Sequence, residues 1–260
     1  MNKEKVVIKV GTSTLTYHNG KINIRRIEEL CKVISDLRNS GKQIVFVSSG
    51  AVGVGIGKLG LKSRPSSTRE RQALAAIGQC ELMAIYSKFF GNYGSNVAQL
   101  LLPQNIISYE TPKNNVINTF ESLFEMDILP IVNENDSVST AEIQGLNFGD
   151  NDQLSAIVAS IIGANLLIIL TDTDGLYDSN PSENCNAKLI PLVEKIDDNI
   201  KNMAAGSTSN RGTGGMTTKI RAAEIATNAG IDCYVINGNH PSNLYKVFEE
   251  KNIGTKFLSK

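Results

Sequence analysis

The sequence lacks several features that would assign it to particular classes of protein. It carries no net charge, because 26 Lys and Arg residues balance 26 Asp and Glu residues in a chain of 260. Such a balance creates no field that would draw the protein to nucleic acid or to an anionic membrane. No apolar run approaches the roughly 20 residues of a membrane-spanning helix. The N-terminal segment MNKEKVVIKVG leads directly into a strand pattern and is not a signal peptide.

Cysteine and histidine are also scarce. Only His18 and His240 are present, and the four cysteines lie far apart without any CxxC pair. A metal cage built from Cys and His is therefore not expected. The cysteines are predicted to be small, reduced core residues of a cytoplasmic protein: Cys31, Cys80, Cys185 and Cys233.

Short apolar strands alternate with helical patterns along the whole chain. Apolar runs predict strands at 6–10, 43–49, 97–102, 128–132, 166–170 and 233–236. Apolar periodicity predicts helices at 24–39, 69–90, 116–125, 152–163, 217–230 and 242–249. Strands that are apolar throughout imply a mainly parallel sheet with helices on both faces. No linker divides the chain, so we predict an α/β fold, a three-layer αβα sandwich forming a single domain over 1–260, with two lobes meeting near Leu166.

Small or polar residues follow five of the predicted strands. They are Lys9 and Gly11, residues 48–50, residues 133–136, Thr171 and Asp172, and residues 237–238. In parallel sheets ligands bind at the carboxyl ends of the strands. Five such ends favour a ligand crevice over an ordinary polar loop edge.

Lys9 lies within an otherwise apolar strand. Its ammonium group must either reach solvent at the end of the strand or point at an anion, because burying it unpaired is costly. Gly11 would then let backbone N–H groups approach a phosphate closely.

The segment RGTGGMTTK at 211–219 contains three glycines and three threonines and leads into a predicted helix. Lys219 lies in the first turn of that helix, where the helix dipole disfavours a cation unless an anion is bound nearby. Free N–H groups, hydroxyls and a lysine would suit a phosphate. A flexible surface loop is the alternative interpretation.

The glycine pattern GIGKLG at 55–60 matches the GxGxxG signature of dinucleotide-binding proteins only weakly. It begins five residues after the strand and has no acidic partner at the end of a following strand. Leu59 stands where a Walker A loop needs Ser or Thr. The more informative residues are 48–51, where two serines, a glycine and an alanine form the turn itself.

Asparagine and aspartate are concentrated at 133–136 and 150–152. One residue of the second group is expected to cap a helix, with acidic residues in its first turn. Together the two groups can accept hydrogen bonds from an α-amino group and donate them to a carboxylate, as recognition of an amino acid requires. The segment TDTDGLYD at 171–178 is either an acidic turn or a site for a nucleotide base and ribose.

Two lysines that require an anion, a phosphate-type loop and an amino-acid-type pocket together suggest phosphoryl transfer from ATP to a carboxylate. Such a reaction brings two anions together, and the protein must neutralise their repulsion and align them. We expect Lys9 and Lys219 to lie on either side of the transferred group. Asp152 would hold both ammonium groups in position.

Seven segments spread over nearly the whole chain carry a specific pattern. They are KVGTSTLT at 9–16, SSGAVGVG at 48–55, AAIGQCELM at 75–83, PIVNENDSV at 130–138, GDNDQLSA at 149–156, LTDTDGLYDSNP at 170–181 and GTGGMTTK at 212–219. The pattern closely resembles the glutamate 5-kinases of the amino acid kinase family. UMP, acetylglutamate and aspartate kinases share the fold and the lysines, but not NEND and GDND followed by GTGGMTTK.

The resemblance implies an eight-stranded, mainly parallel sheet, with glutamate in an N-terminal lobe (1–165) and ATP in a C-terminal lobe (166–260). Ser49, Asp136 and Asn151 match the glutamate-binding positions. Lys9 and Lys219 match the transition-state lysines, and Asp152 matches the residue that organises them. The ATP-binding matches are Gly11, Thr171, Asp172, Thr213, Gly214, Gly215, Met216, Thr217, Thr218 and Lys219.

The resemblance also implies Mg2+ on the ATP phosphates, a homodimer or homotetramer, and feedback inhibition by proline. Many relatives carry a further C-terminal RNA-modification-type (PUA) domain, and we expect this chain to be a short form without it. The segment IQGLNF at 143–148 looks longer than in the shortest relatives. Three alternatives stay open: an amino-acid sensor on the same fold, a kinase for acetylglutamate or UMP, and a nicotinamide-dependent dehydrogenase.

Overall fold

The structure, a computed structural model, describes residues 3–17, 20–103, 110–138, 151–205 and 215–260. Within these ranges eight strands form one sheet in the order β3-β4-β2-β1-β5-β7-β8-β6. The strands are β1 (Lys5–Val10), β2 (Gln43–Ser48), β3 (Val97–Leu102), β4 (Leu129–Glu134), β5 (Leu166–Thr171), β6 (Leu192–Val193), β7 (Asp232–Asn237) and β8 (Thr255–Phe257).

Six neighbouring strands, from β3 to β7 in that order, run parallel. The edge strand pair differs, because β8 runs antiparallel to β7 and β6 runs parallel to β8. The predicted α/β fold with a mainly parallel sheet is confirmed. Parallel strands form because helices connect them and cover both faces of the sheet.

Helices flank the sheet on both sides. They are α1 (Thr12–Leu15), α2 (Ile24–Asn39), α3 (Ala51–Leu59), α4 (Thr68–Asn92), α5 (Glu110–Glu125), α6 (Asn151–Ile162), α7 (Asp198–Ala205), α8 (Met216–Asn228) and α9 (Asn243–Phe248). One core contains Val7 of β1 and the apolar faces of α5, α6 and α8. The other contains Val6 and Ile8 of β1 with those of α2, α3 and α4. Side chains alternate along a strand, so consecutive residues enter different cores. Among the described residues no helix has the length and apolar character needed to cross a lipid bilayer.

Several local predictions need correction. The glycine-rich stretch after β2, for which no helix was predicted, forms helix α3 at residues 51–59, and α5 begins at 110 rather than 116. Strands β6 and β8 and helices α1 and α7 were not predicted. Two of the cysteines are not core residues, because Cys80 and Cys185 are exposed. The segment IQGLNF at 143–148 lies outside the described residues.

Helices α3 and α4 pack unusually closely because glycines face each other's backbones. A Cβ atom on Gly78 of α4 would lie 1.8 Å from the carbonyl oxygen of Ala51 and 2.6 Å from the nitrogen of Gly55. A Cβ atom on Gly55 would lie 2.1 Å from the carbonyl oxygen of Leu74. Any side chain at these positions would force the two helices apart. Because α3 begins just after the polar end of β2, this close packing also fixes the position of that strand end.

We predict that Gly78→Ala destabilises the fold, because the added methyl group has no space and overpacking costs about 1–3 kcal/mol or more. Gly91→Ala is a matched control in the same helix, since no described atom comes within 4 Å of its added Cβ. It should stabilise the protein by about 0.5–1 kcal/mol through helix propensity. Urea denaturation measures both values. Equal stability of the two variants would contradict the close packing.

Candidate active site

The order of the strands sorts the polar strand ends into a line along one edge of the sheet. Asn133 ends β4, Ser48 ends β2, Lys9 lies near the end of β1, Thr171 ends β5 and Asn237 ends β7. These five strands are neighbours in the order β4-β2-β1-β5-β7 and run parallel. The asparagine-rich end is therefore on one side of β1, and the TDTDGLYD segment is on the other.

Lys9 points to the face of the sheet that α6 and α8 cover. It alternates with the neighbouring residues of β1 and shares the face of Val7, which belongs to the core beneath these two helices. Its Nζ lies 2.5 Å from Oδ1 of Asp152, in the first turn of α6. Nζ of Lys219, in the first turn of α8, lies 3.2 Å from Oδ2 of the same carboxylate. The structure thus brings together three residues from distant parts of the chain.

All three side chains are buried, with side-chain exposures of 5% for Lys9, 0% for Asp152 and 8% for Lys219. Asp152 supplies the anion that Lys219 requires at the N-terminal end of a helix. Two ammonium groups held at one point can bind the oxygens of a phosphate, because charges interact strongly where water is excluded.

The environment keeps Asp152 ionised. Burial alone would raise its pKa, but the charges of Lys9 and Lys219, with hydrogen bonds from Lys9 and Thr218, outweigh burial and lower the pKa to about 2. The Thr218 hydroxyl donates to Oδ2 at 2.8 Å. Asp152 is therefore a fixed negative charge at neutral pH and is too weak a base to accept a proton there.

A cleft of 830 Å³ opens on the β5 side of this cluster. Its volume lies within the roughly 300–1,000 Å³ typical of small-molecule sites. Residues that line it include Thr12, Ser13, Asp172, Tyr177, Met216 and Lys219. Asp174 is held beside it, since its carboxylate accepts hydrogen bonds from Asn237 at 2.7 Å and from the Tyr177 hydroxyl at 3.3 Å.

Gly11 lies beside the Lys9 ammonium group. A Cβ atom at this position would lie 3.7 Å from Nζ of Lys9 and 3.8 Å from the carbonyl oxygen of Leu170. Thr171 is buried at the end of β5, and its hydroxyl donates to Asp172 at 3.2 Å. Two of the predicted ATP-binding residues, Gly11 and Thr171, therefore lie at the ends of the neighbouring strands β1 and β5.

Amide side chains dominate the β4 side of the cluster. Nδ2 of Asn151 donates to Oδ1 of Asn133 at 2.9 Å, and Nδ2 of Asn133 donates to Oε1 of Gln79 at 2.7 Å. Ser49 follows β2 immediately before Gly50, whose φ of +98° starts the turn into α3. Asp136 lies two residues beyond β4 and is half-buried.

Two predicted site residues, Thr213 and Gly214, lie outside the described residues, as does Asp150. The other residues of this segment are described: Gly215 immediately precedes α8, and residues 216–219 form its first turn. Gln79 was absent from the predicted site, although it lies in the AAIGQCELM segment at 75–83. Asn133 was predicted only as part of the group 133–136 and was not among the residues matched to glutamate-binding positions.

We predict that Asp152→Asn lowers the free energy of unfolding by about 3–5 kcal/mol, because it leaves two buried ammonium groups without their carboxylate. Glu224→Gln makes the same chemical change at the exposed pair with Lys201 and should have little effect. Denaturant titration at pH 7 measures both. Equally small changes in the free energy of unfolding in the two variants would show that the contacts of Asp152 with the two lysines do not stabilise the fold.

The Asp152 effect has a defined pH dependence. The folded-state pKa is lowered from an ordinary value of about 3.9. The carboxylate thus contributes stability that is complete above about pH 4 and is lost as pH falls towards 2. The Asp152 carboxyl carbon of the wild-type chain, followed by 13C NMR, should therefore keep a constant chemical shift from pH 5 to 8 and titrate only near pH 2. A titration of that carbon between pH 5 and 8 would contradict the ionised assignment.

Comparison with known proteins identifies the family. The sequence matches the amino acid kinase family over residues 4–237. The glutamate 5-kinase of Clostridium perfringens is 54% identical over 260 residues, which cover 100% of this chain and 97% of the relative. That of Listeria monocytogenes (strain EGD-e) is 50% identical over 260 residues, covering 100% of this chain and 94% of the relative.

Solved structures support the fold. An isopentenyl phosphate kinase superposes with a TM-score of 0.68 at 18% identity, covering 98% of this chain and 100% of the other. The UMP kinase of Bacillus anthracis superposes with a TM-score of 0.66 at 13% identity, covering 99% and 96%. At these identities the likeness concerns the fold alone. The sequence matches decide the family: the chain belongs to the amino acid kinase family and, within it, to the glutamate 5-kinases.

Proposed function

We propose that the protein transfers the γ-phosphoryl group of ATP to the side-chain carboxylate of L-glutamate, giving L-glutamyl 5-phosphate, the first step of proline biosynthesis. The observation that carries the proposal is the buried Lys9–Asp152–Lys219 cluster, which holds two ammonium groups between an amide-rich site and a nucleotide-sized cleft. Full-length relatives named glutamate 5-kinase support the acceptor.

In this mechanism an oxygen of the glutamate γ-carboxylate forms a bond to the γ-phosphorus. The bond from that phosphorus to the β–γ bridging oxygen breaks, and its electrons leave with ADP. The carboxylate is already ionised at neutral pH, with an ordinary pKa of about 4.3, so the step needs no general base. Asp152, with its lowered pKa, is instead the residue that holds Lys9 and Lys219 in place.

The two ammonium groups stabilise the charge that spreads over the transferred group. Lys219 lines the cleft, and Lys9 lies near the end of strand β1, close to Gly11. Gly11, Thr171 and Asp172 bind ATP together with the segment from Thr213 to Lys219. Ser49, Asp136 and Asn151 bind glutamate from the other side of β1.

Magnesium fits this site as an ion carried by the nucleotide. Among the described residues no group of three or more His, Cys, Asp and Glu side chains is arranged to hold a metal. Both oxygens of Asp152 already contact ammonium groups. Mg2+ commonly binds through phosphate oxygens, waters and at most one or two carboxylates. When bound to ATP it neutralises phosphate charge, and the protein contributes the lysines around it.

The other candidate functions have less support. A nicotinamide-dependent dehydrogenase would use the GxGxxG pattern as a phosphate loop, but residues 55–59 lie within α3 and Gly55 packs against Leu74 of α4. A sensor on the same fold would not need the lysine pair, which is intact. The homodimer or homotetramer, the inhibition by proline and the cytoplasmic location that we expect stay predictions.

The acceptor is tested by measuring ADP release from MgATP with L-glutamate, N-acetyl-L-glutamate and UMP in turn. We expect turnover with L-glutamate alone, because its relatives over the full length of the chain are glutamate 5-kinases. Turnover with UMP or acetylglutamate but not with glutamate would overturn the proposal. ADP release that no acceptor stimulates would reject a kinase acting on any of them.

We predict that Lys9→Met and Lys219→Met each lower kcat by about 10²–10³-fold, the usual effect of removing one charge-stabilising donor. Methionine retains the apolar length of the side chain, so packing is largely preserved. Lys58→Met is the control. Lys58 lies near the C-terminal end of α3 and forms an exposed ion pair with Glu81 of α4. Thermal denaturation verifies folding. A normal kcat in either variant would remove that lysine from the mechanism.

A further inference from the structure

Three amide side chains from different elements form one continuous hydrogen-bonded chain. Gln79 lies in α4, Asn133 at the end of β4 and Asn151 at the start of α6. The bonds are 2.7 Å between Gln79 and Asn133 and 2.9 Å between Asn133 and Asn151. Asn133 is 1% exposed, so its amide must be satisfied by these partners.

The direction of the chain is fixed at Asn133. Its Oδ1 accepts from the backbone N–H of Glu134 at 2.9 Å, which cannot act as anything but a donor. The Nδ2 of Asn133 must therefore face Gln79, whose Oε1 accepts from it. Asn151 in turn uses its Nδ2 to reach Oδ1 of Asn133. Its own Oδ1 is then presented as an acceptor.

That acceptor is buried, and it has no hydrogen-bond partner among the residues that the structure describes. It belongs to the residue that precedes Asp152, so it lies beside the lysine cluster on the β4 side. A buried carbonyl oxygen without a donor costs free energy until a ligand supplies one. The α-ammonium group of an amino acid is such a donor.

Gln79 is well placed to hold this arrangement rigidly. It follows Gly78, whose backbone packs directly against Ala51 and Gly55 of α3, so α4 cannot shift without breaking the contact between the helices. The side chain is half-buried. Its Oε1 accepts a hydrogen bond from Nδ2 of Asn133, on the side of the amide opposite the Oδ1 that faces Asn151.

We propose that Gln79 is a positioning residue for glutamate: it holds Asn133, which orients Asn151 so that Oδ1 of Asn151 receives the α-ammonium group. The proposal rests on the proposed function and assigns a residue on α4 to substrate selection. Gln79 acts through its two neighbours and takes no part in the transfer of the phosphoryl group.

The test compares Gln79→Met, which removes the acceptor at similar size, with Gln79→Glu, whose carboxylate still accepts from Asn133. Gln99→Met is the control, because it makes the same change at an exposed position of β3. Steady-state kinetics with MgATP and L-glutamate and thermal denaturation are measured for all three. Loss of the acceptor from a buried amide predicts about a tenfold rise in the KM for glutamate in Gln79→Met.

In that variant the KM for ATP and the melting temperature should stay close to wild type, and Gln79→Glu should largely restore the KM for glutamate. An unchanged KM for glutamate in Gln79→Met, parallel rises in both KM values, or equal losses in the two variants would each overturn the proposal. A wild-type chain that does not phosphorylate glutamate would overturn the proposed function and this inference together. The activity of the wild-type chain therefore separates the two failures.

Discussion

A single buried carboxylate between two ammonium groups is the constraint on which the rest of the site depends. Burying charged groups costs several kcal/mol for each ion, so such a cluster is weak evidence for stability on its own account. The cluster instead fixes the positions of its two ammonium groups. Asp152 fixes the ends of Lys9 and Lys219, which come from a strand and a helix 210 residues apart, and so holds two ammonium groups at one point.

The topology of the sheet places this cluster between the two regions where we propose that the substrates bind. Strand β1 lies between β2 and β5, so Lys9 stands between the amide-rich strand ends and the cleft. Helices α6 and α8 pack on the same face and direct their N-terminal turns towards it. An acceptor on one side and ATP on the other would therefore meet at the ammonium groups. Alignment of this kind is the main contribution a protein makes to phosphoryl transfer.

Much of this arrangement could be predicted from the sequence, because its signals are local. Apolar runs marked the parallel strands, and Lys9 was conspicuous in one of them. Helix α3 was missed because glycine is a poor helix former, and here close packing against α4 overrides that propensity. Strands β6 and β8 are too short to show a period of two. The contact from Gln79 to Asn133 spans 54 residues and leaves no trace in either segment.

The most direct test of the central claim is a crystal structure of the protein with L-glutamate, MgADP and aluminium fluoride, which mimics the transferred phosphoryl group. The account predicts that Nζ of both Lys9 and Lys219 lies within about 3.2 Å of the fluoride ligands while Asp152 still contacts both lysines. Fluoride bound away from the cluster, or either ammonium group turned away from it, would contradict the claim that these two charges stabilise the transfer.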